Sequence, residues 1–83
     1  ISAGVVDIEP GGTSYSEAHT EWRQVFFIIE GTGTLIIDGT EQVRVGPNTV
    51  AEIPYNADHK LVADPGVKVR YLFVNDYSQP VEP

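Results

Sequence analysis

Glu17 and His19 stand two residues apart, Gln24 follows five residues after His19, and the chain's one other histidine is His59. Two imidazoles, a carboxylate and an amide oxygen are a donor set that suits a divalent metal ion. In an extended segment Glu17 and His19 would point the same way, because alternate residues share a face of a strand. Gln24 opens an apolar run, Val25-Phe26-Phe27-Ile28-Ile29, that would carry its face on through Phe26 and Ile28. The spacing alone leaves a second reading open, in which the histidines are surface or hydrogen-bonded core residues and Glu17 is a solvated loop carboxylate.

The composition narrows the field. The chain has 83 residues, 41% of them hydrophobic and 20% charged, with five basic against twelve acidic side chains and a net charge of -7. That length suits one domain, here residues 1–83 with a core over 5–74. A domain this small buries only about 60% of the surface its unfolded chain exposes, so self-association would add burial. No cluster of Lys and Arg exists, which argues against nucleic acid and anionic membranes as partners. Without cysteine there is no disulfide, thiolate metal site or cysteine nucleophile. No apolar run approaches ~20 residues and no signal segment is visible, so the expectation is a cytoplasmic protein. A start at Ile1 rather than Met is compatible with removal of a leading segment.

The elements that must position the four donors read as short strands between turn signals. The expected strands are 5–8, 25–29, 34–37, 41–45, 49–53, 59–63 and 67–74. Pro10-Gly11-Gly12, Gly31-Thr32-Gly33, Gly46-Pro47-Asn48 and Asp64-Pro65-Gly66 mark turns, and Asp38-Gly39 marks a tight hairpin that needs positive φ. Only Ser14–Trp22 has any helical character, and the tail from Tyr77 is expected to be loose. In the last strand Val69, Tyr71 and Phe73 share one face, taken as inward, and Lys68, Arg70 and Leu72 the other. With the opposite parity Arg70 would be a clamp for a substrate carboxylate. This count of strands, and the need to hide sheet edges, point to an all-β jelly-roll-like barrel. No Ser/His/Asp arrangement and no phosphate loop is present, since Gly31-Thr32-Gly33 leads into a strand and not a helix.

The pattern resembles the cupin family. Its first motif runs Gly, five residues, His-x-His, three or four residues, Glu, six residues, Gly. Here Gly11, Glu17-Ala18-His19, Gln24 and Gly31 keep every spacing, and Pro10-Gly11-Gly12 and Glu30-Gly31-Thr32-Gly33 resemble the family's entry and exit. Its second motif runs Pro-x-Gly-x-x-His, three residues, Asn; here it reads Pro54-Tyr55-Asn56-Ala57-Asp58-His59, with Ala63 in place of the closing Asn. The resemblance covers Val5 to Val74 and implies the cupin double-stranded β-helix. The family's ligand positions, usually His, His, Glu and His, map onto Glu17, His19, Gln24 and His59. The set keeps one carboxylate, now at the first position, and drops from three imidazoles to two. Two histidines and a carboxylate with an added amide oxygen favour Mn or Fe over Ni, Zn or Cu.

What the resemblance implies is a metal-dependent enzyme acting on a small oxygenated molecule, such as a sugar acid, a hydroxy or keto acid, or a diketone. The chemistry would be Lewis-acid-assisted isomerisation or lyase chemistry, or O2 addition. Glu17, Tyr15 and Tyr55 are the candidates for proton transfer or substrate contact. Phe26, Ile28, Leu61, Tyr71 and Phe73 would form the apolar wall of the substrate pocket. Trp22 would staple a small core or a dimer contact. The alternative is a non-catalytic cupin that binds a small ligand or serves as a partner domain without metal. Small cupins commonly pair through outer sheet faces, and Val25, Phe27 and Ile29 would give a homodimer its apolar stripe.

Overall fold

A computed structural model describes residues 2–14, 23–53 and 57–77. Among the described residues seven strands run in order: β1 (Ser2–Ile8), β2 (Arg23–Glu30), β3 (Gly33–Ile37), β4 (Glu41–Val45), β5 (Val50–Ile53), β6 (His59–Ala63) and β7 (Val69–Asp76). They form a four-stranded sheet, β1-β7-β2-β5, and a three-stranded sheet, β4-β3-β6, with every pairing antiparallel. No helix occurs among the described residues, and none is long and apolar enough to cross a membrane. Thus the all-β architecture expected from the sequence is the one found, arranged as two antiparallel sheets.

The sheets face each other through alternate residues, as strand periodicity requires. One sheet contributes Ile8, Phe26, Ile28, Ile53, Val69 and Tyr71 to the core; the other contributes Leu35, Val45, Leu61 and Ala63. Leu61 and Val69 are fully buried, and each such aliphatic side chain stabilises the fold by roughly 1.5–3 kcal/mol. The inward parity of Val69, Tyr71 and Phe73 holds. Arg70 accordingly lies on the outer face, where its guanidinium donates to Asp7 at 2.7 and 3.2 Å. On that face Val5, Leu72, Phe27 and Val50 are register partners in one apolar row across all four strands. Val5 and Val50 are the most open of them, at 57% and 64% exposure.

The turns follow local chemistry. Asp38 and Gly39 both have positive φ, 53° and 73°, the primed hairpin geometry that suits the right-handed twist of β3 and β4. Asp38 then extends the β3–β6 ladder one step beyond the Ile37–His59 pair. Its Oδ1 accepts the Asp58 amide at 3.0 Å while its own amide donates to the Asp58 carbonyl at 2.8 Å. The β3–β4 turn thereby fixes where β6 begins, and so where His59 enters.

Both ends of the last strand differ from expectation. The last strand starts at Val69, because the Val67 amide closes a turn onto Asp64 O at 3.1 Å. It continues to Asp76, because β1 reaches back to Ser2 and β2 starts at Arg23, giving Asn75 and Asp76 register partners. Tyr77, expected to begin a loose tail, has its hydroxyl 2.8 Å from Ser2 Oγ. Of the possible helical stretch, Ser14 lies in extended chain beside β6, and the rest falls outside the described residues.

Asp64 ties the smaller sheet to the β6–β7 turn. Its carboxylate accepts two hydrogen bonds from Arg44, at 2.7 and 2.6 Å, and one from Thr32 at 2.7 Å. The Arg44 guanidinium, then the Thr32 hydroxyl, hold the carboxyl at about 2, below its ordinary 3.8. A carboxyl whose folded pKa is depressed contributes stability above its unfolded value, and that contribution is lost as pH falls through the folded value. Asp7 is shifted the same way by its hydrogen bond from Arg70. The urea midpoint is therefore expected to fall between pH 4 and pH 2. Asp64→Asn should flatten that limb while lowering the midpoint at pH 7; a variant whose acid limb matches the parent's would rule Asp64 out as its source.

Candidate functional site

Gln24 sits near the start of β2 with Ile53 of β5 on one side and Asn75 of β7 on the other. It shares the inward face with Phe26 and Ile28, both buried. Its Nε2 donates to Asn75 Oδ1 at 2.8 Å. Its Oε1 is buried and has no hydrogen-bond partner among the described residues. A buried carbonyl oxygen with nothing to accept costs about 1–3 kcal/mol. The amide therefore presents an acceptor that a ligand would satisfy.

His59 opens β6 and is 4% exposed. Its Nδ1 lies 3.3 Å from the Ala57 carbonyl. In the tautomer that donates there, Nε2 bears the lone pair with which imidazole binds metals. Phe26 packs edge-on against the His59 ring, centroids 5.6 Å apart at 66°, and meets Tyr71 at 4.7 Å. Phe26 is thus the apolar link between the two donors: it follows Gln24 along one face of β2 and touches the imidazole projecting from the other sheet.

Of the expected pocket wall, Phe26, Ile28, Leu61 and Tyr71 are buried in the core and Phe73 packs against it half-buried. Glu17, His19, Tyr15, Tyr55 and Trp22 lie outside the described residues. Gly12, Thr13 and Ser14 run along β6: the Ala63 amide donates to Gly12 O and the Ser14 amide to Leu61 O, both at 2.9 Å, and the Leu61 amide donates to Ser14 Oγ at 2.9 Å. The described chain therefore leaves two residues along β6 from His59 and returns at Arg23, beside Gln24. Among the described residues no three His, Cys, Asp or Glu side chains gather in metal-holding reach. The described donors nonetheless fit a divalent ion chemically, since one is a buried amide oxygen and the other a buried imidazole, a side chain that binds such ions through either ring nitrogen.

Asn75 is the site residue that sequence reasoning missed. The signal was available. The inward series Val69, Tyr71, Phe73 continues in steps of two to Asn75, one residue beyond the strand end expected at Val74.

Comparison with known proteins bears on this geometry. The family model described as a cupin domain matches residues 4–75. No match is found among curated protein sequences. Solved structures do match. A cupin protein from Bacteroides fragilis superposes with a TM-score of 0.86 at 16% identity, covering 98% of this chain and 69% of that one. A polyketide cyclase from Streptomyces resistomycificus gives 0.78 at 28% identity, covering 95% and 56%. A sugar phosphate isomerase from a cupin superfamily, from Silicibacter pomeroyi, gives 0.80 at 23% identity, covering 92% and 50%. The chain thus spans between half and about two thirds of the length of these neighbours. With two antiparallel sheets, a buried histidine opening β6, and a family match running from β1 to the Asn75 that holds Gln24, the chain belongs to the cupin family.

Proposed function

We propose that the barrel binds one divalent cation, Mn or Fe before Ni, Zn or Cu, through Gln24 Oε1 and His59 Nε2, with Glu17 and His19 as the remaining donors. The protein would use it on a small oxygenated substrate, by isomerisation or lyase chemistry or by O2 addition. The observation that carries this reading is the buried Gln24 oxygen without a partner. It is the atom a cation would satisfy, at the position the family's ligand pattern assigns to a donor. When bound, the ion would supply Lewis acidity to paired substrate oxygens. The chain's own part follows from its chemistry. Phe26, itself packed on Tyr71, covers one side of the imidazole, and the Asp38–Asp58 hydrogen bonds hold the start of β6 in place. Glu17, Tyr15 and Tyr55 are the groups proposed to move protons. Among the structural neighbours a polyketide cyclase, at 28% identity, is an enzyme, which supports the enzymatic reading over an inert barrel.

An amide oxygen also accepts a hydrogen bond from a neutral hydroxyl, so a barrel that binds a small ligand without metal is the alternative. Metal content separates the two. Protein incubated with Mn(II) or anaerobic Fe(II), desalted and assayed by elemental analysis should retain about one equivalent per chain. Retention no greater than that of a chelator-treated control would leave the non-metal reading.

A further inference from the structure

The Gln24 amide is braced by a line of side chains running from the barrel interior to its rim. Gln24 Nε2 donates to Asn75 Oδ1 at 2.8 Å. Asn75 Nδ2 donates to Ser2 Oγ at 3.2 Å, and Ser2 Oγ lies 2.8 Å from the Tyr77 hydroxyl. Ser2, Asn75 and Gln24 are register partners on β1, β7 and β2, so the line follows one rung of the sheet. On the fourth strand that rung continues to Ile53, whose apolar side chain offers Gln24 no polar contact.

The polarity of this line decides what Gln24 presents. Ser2 can donate or accept, so turning both amides over would keep every bond in the line. It would, however, bury an NH2 with no acceptor. A buried donor left without a partner is rarer in proteins than a carbonyl with unused lone pairs. The arrangement with Oε1 buried and Nε2 on Asn75 is the favoured one, and a cation at Oε1 would reinforce it. We propose that Asn75, braced by Ser2 and Tyr77, is the positioning residue that aims the Gln24 carbonyl oxygen into the barrel as an acceptor for a divalent cation. The occupant rests on the metal reading above; the brace itself does not.

Two substitutions at one position test it. Asn75→Asp is acceptor-only. It still receives Gln24 Nε2 and can receive the Ser2 hydroxyl, so it locks the oxygen inward. Asn75→Leu removes the acceptor at similar size and frees the amide to rotate. The first readout needs no metal: 15N relaxation and solvent exchange of the Gln24 side-chain NH2. The parent and Asn75→Asp should show an ordered, slowly exchanging amide, and Asn75→Leu a mobile one. An amide equally ordered in Asn75→Leu overturns the brace, as does one already mobile in the parent. The second readout is Mn(II) affinity. Asn75→Leu should weaken it about 10–100-fold, the range for a partner that orients a ligand, and Asn75→Asp should not weaken it. That loss should vanish in a Gln24→Leu background, because Asn75 acts only through Gln24. A parent that binds no Mn(II) while its amide is ordered retains the brace and removes the cation. A parent that binds Mn(II) with equal affinity in Asn75→Leu removes the role of the brace in binding.

Discussion

Gly31→Ala is expected to lower stability by about 2–5 kcal/mol. Two independent costs add. Gly31 has φ of 88°, a left-handed conformation that costs a residue with a Cβ about 1–2 kcal/mol. The new methyl would also collide with the Lys68 carbonyl oxygen and stand 3.0 Å from Val69 Cα. Both obstacles are backbone, and Val69 is fully buried, so neither can swing aside. Overpacking of this kind costs about 1–3 kcal/mol. A small domain has only about 5–15 kcal/mol in total, and each kcal/mol moves the melting midpoint by about 4–8 °C at this size. The position matters because β2 carries Gln24, whereas β3 pairs with the strand that carries His59; Gly31 lies where the chain crosses between them, after a register shift at the end of β2. Gly39 supplies the control. Its φ is 73°, yet a Cβ there meets nothing within 4 Å, so Gly39→Ala should incur the conformational cost alone. Urea denaturation of the two variants measures the difference. If Gly31→Ala proves no less stable than Gly39→Ala, the close approach to β7 is not what demands glycine.

Much of this architecture was legible in the residues, and the exceptions have identifiable causes. Strands β4 and β6 run over the expected residues because polar turn sequences bound them closely on both sides. The Asp38-Gly39 hairpin was readable because few residue pairs accept two positive φ values in succession. Strand β1 begins earlier than its Val5-Val6 signal suggests. Ser2, Ala3 and Gly4 have little intrinsic preference for a strand, and they are held in one by pairing with Asn75, Val74 and Phe73. That is tertiary context overriding local propensity, and it also hid Asn75. A strand ended at Val74 leaves Asn75 outside the sheet, and only its pairing with Ser2 and Gln24 makes it part of the interior. The inward parity of Gln24, Phe26 and Ile28 on β2, and of His59 and Leu61 on β6, was readable from alternation alone. The orientation of the Gln24 amide was not, because it is set by hydrogen bonds from two other strands.

The second large effect is the loss of metal-dependent stabilisation in His59→Leu. A ligand that binds only the folded state stabilises it by RT ln(1 + [L]/Kd), about 2.7 kcal/mol at a hundredfold excess over Kd. For a domain of this size that is a rise of about 10–20 °C in the melting midpoint of the parent with Mn(II). Leucine is the informative replacement. It fills a site that is 4% exposed and can keep contact with Phe26, yet it carries no lone pair. The loss of the bond between Nδ1 and the Ala57 carbonyl, 3.3 Å apart, should cost about 1 kcal/mol, which the added apolar burial offsets in part. The metal-free variant should remain folded, and the Mn(II)-induced rise should disappear. A fold-level role for His59 predicts the reverse pattern, a lower midpoint without metal and an unchanged response to it. Scanning both proteins with Mn(II) and with chelator separates the two roles, because the imidazole enters one curve as a ligand and the other only as packing.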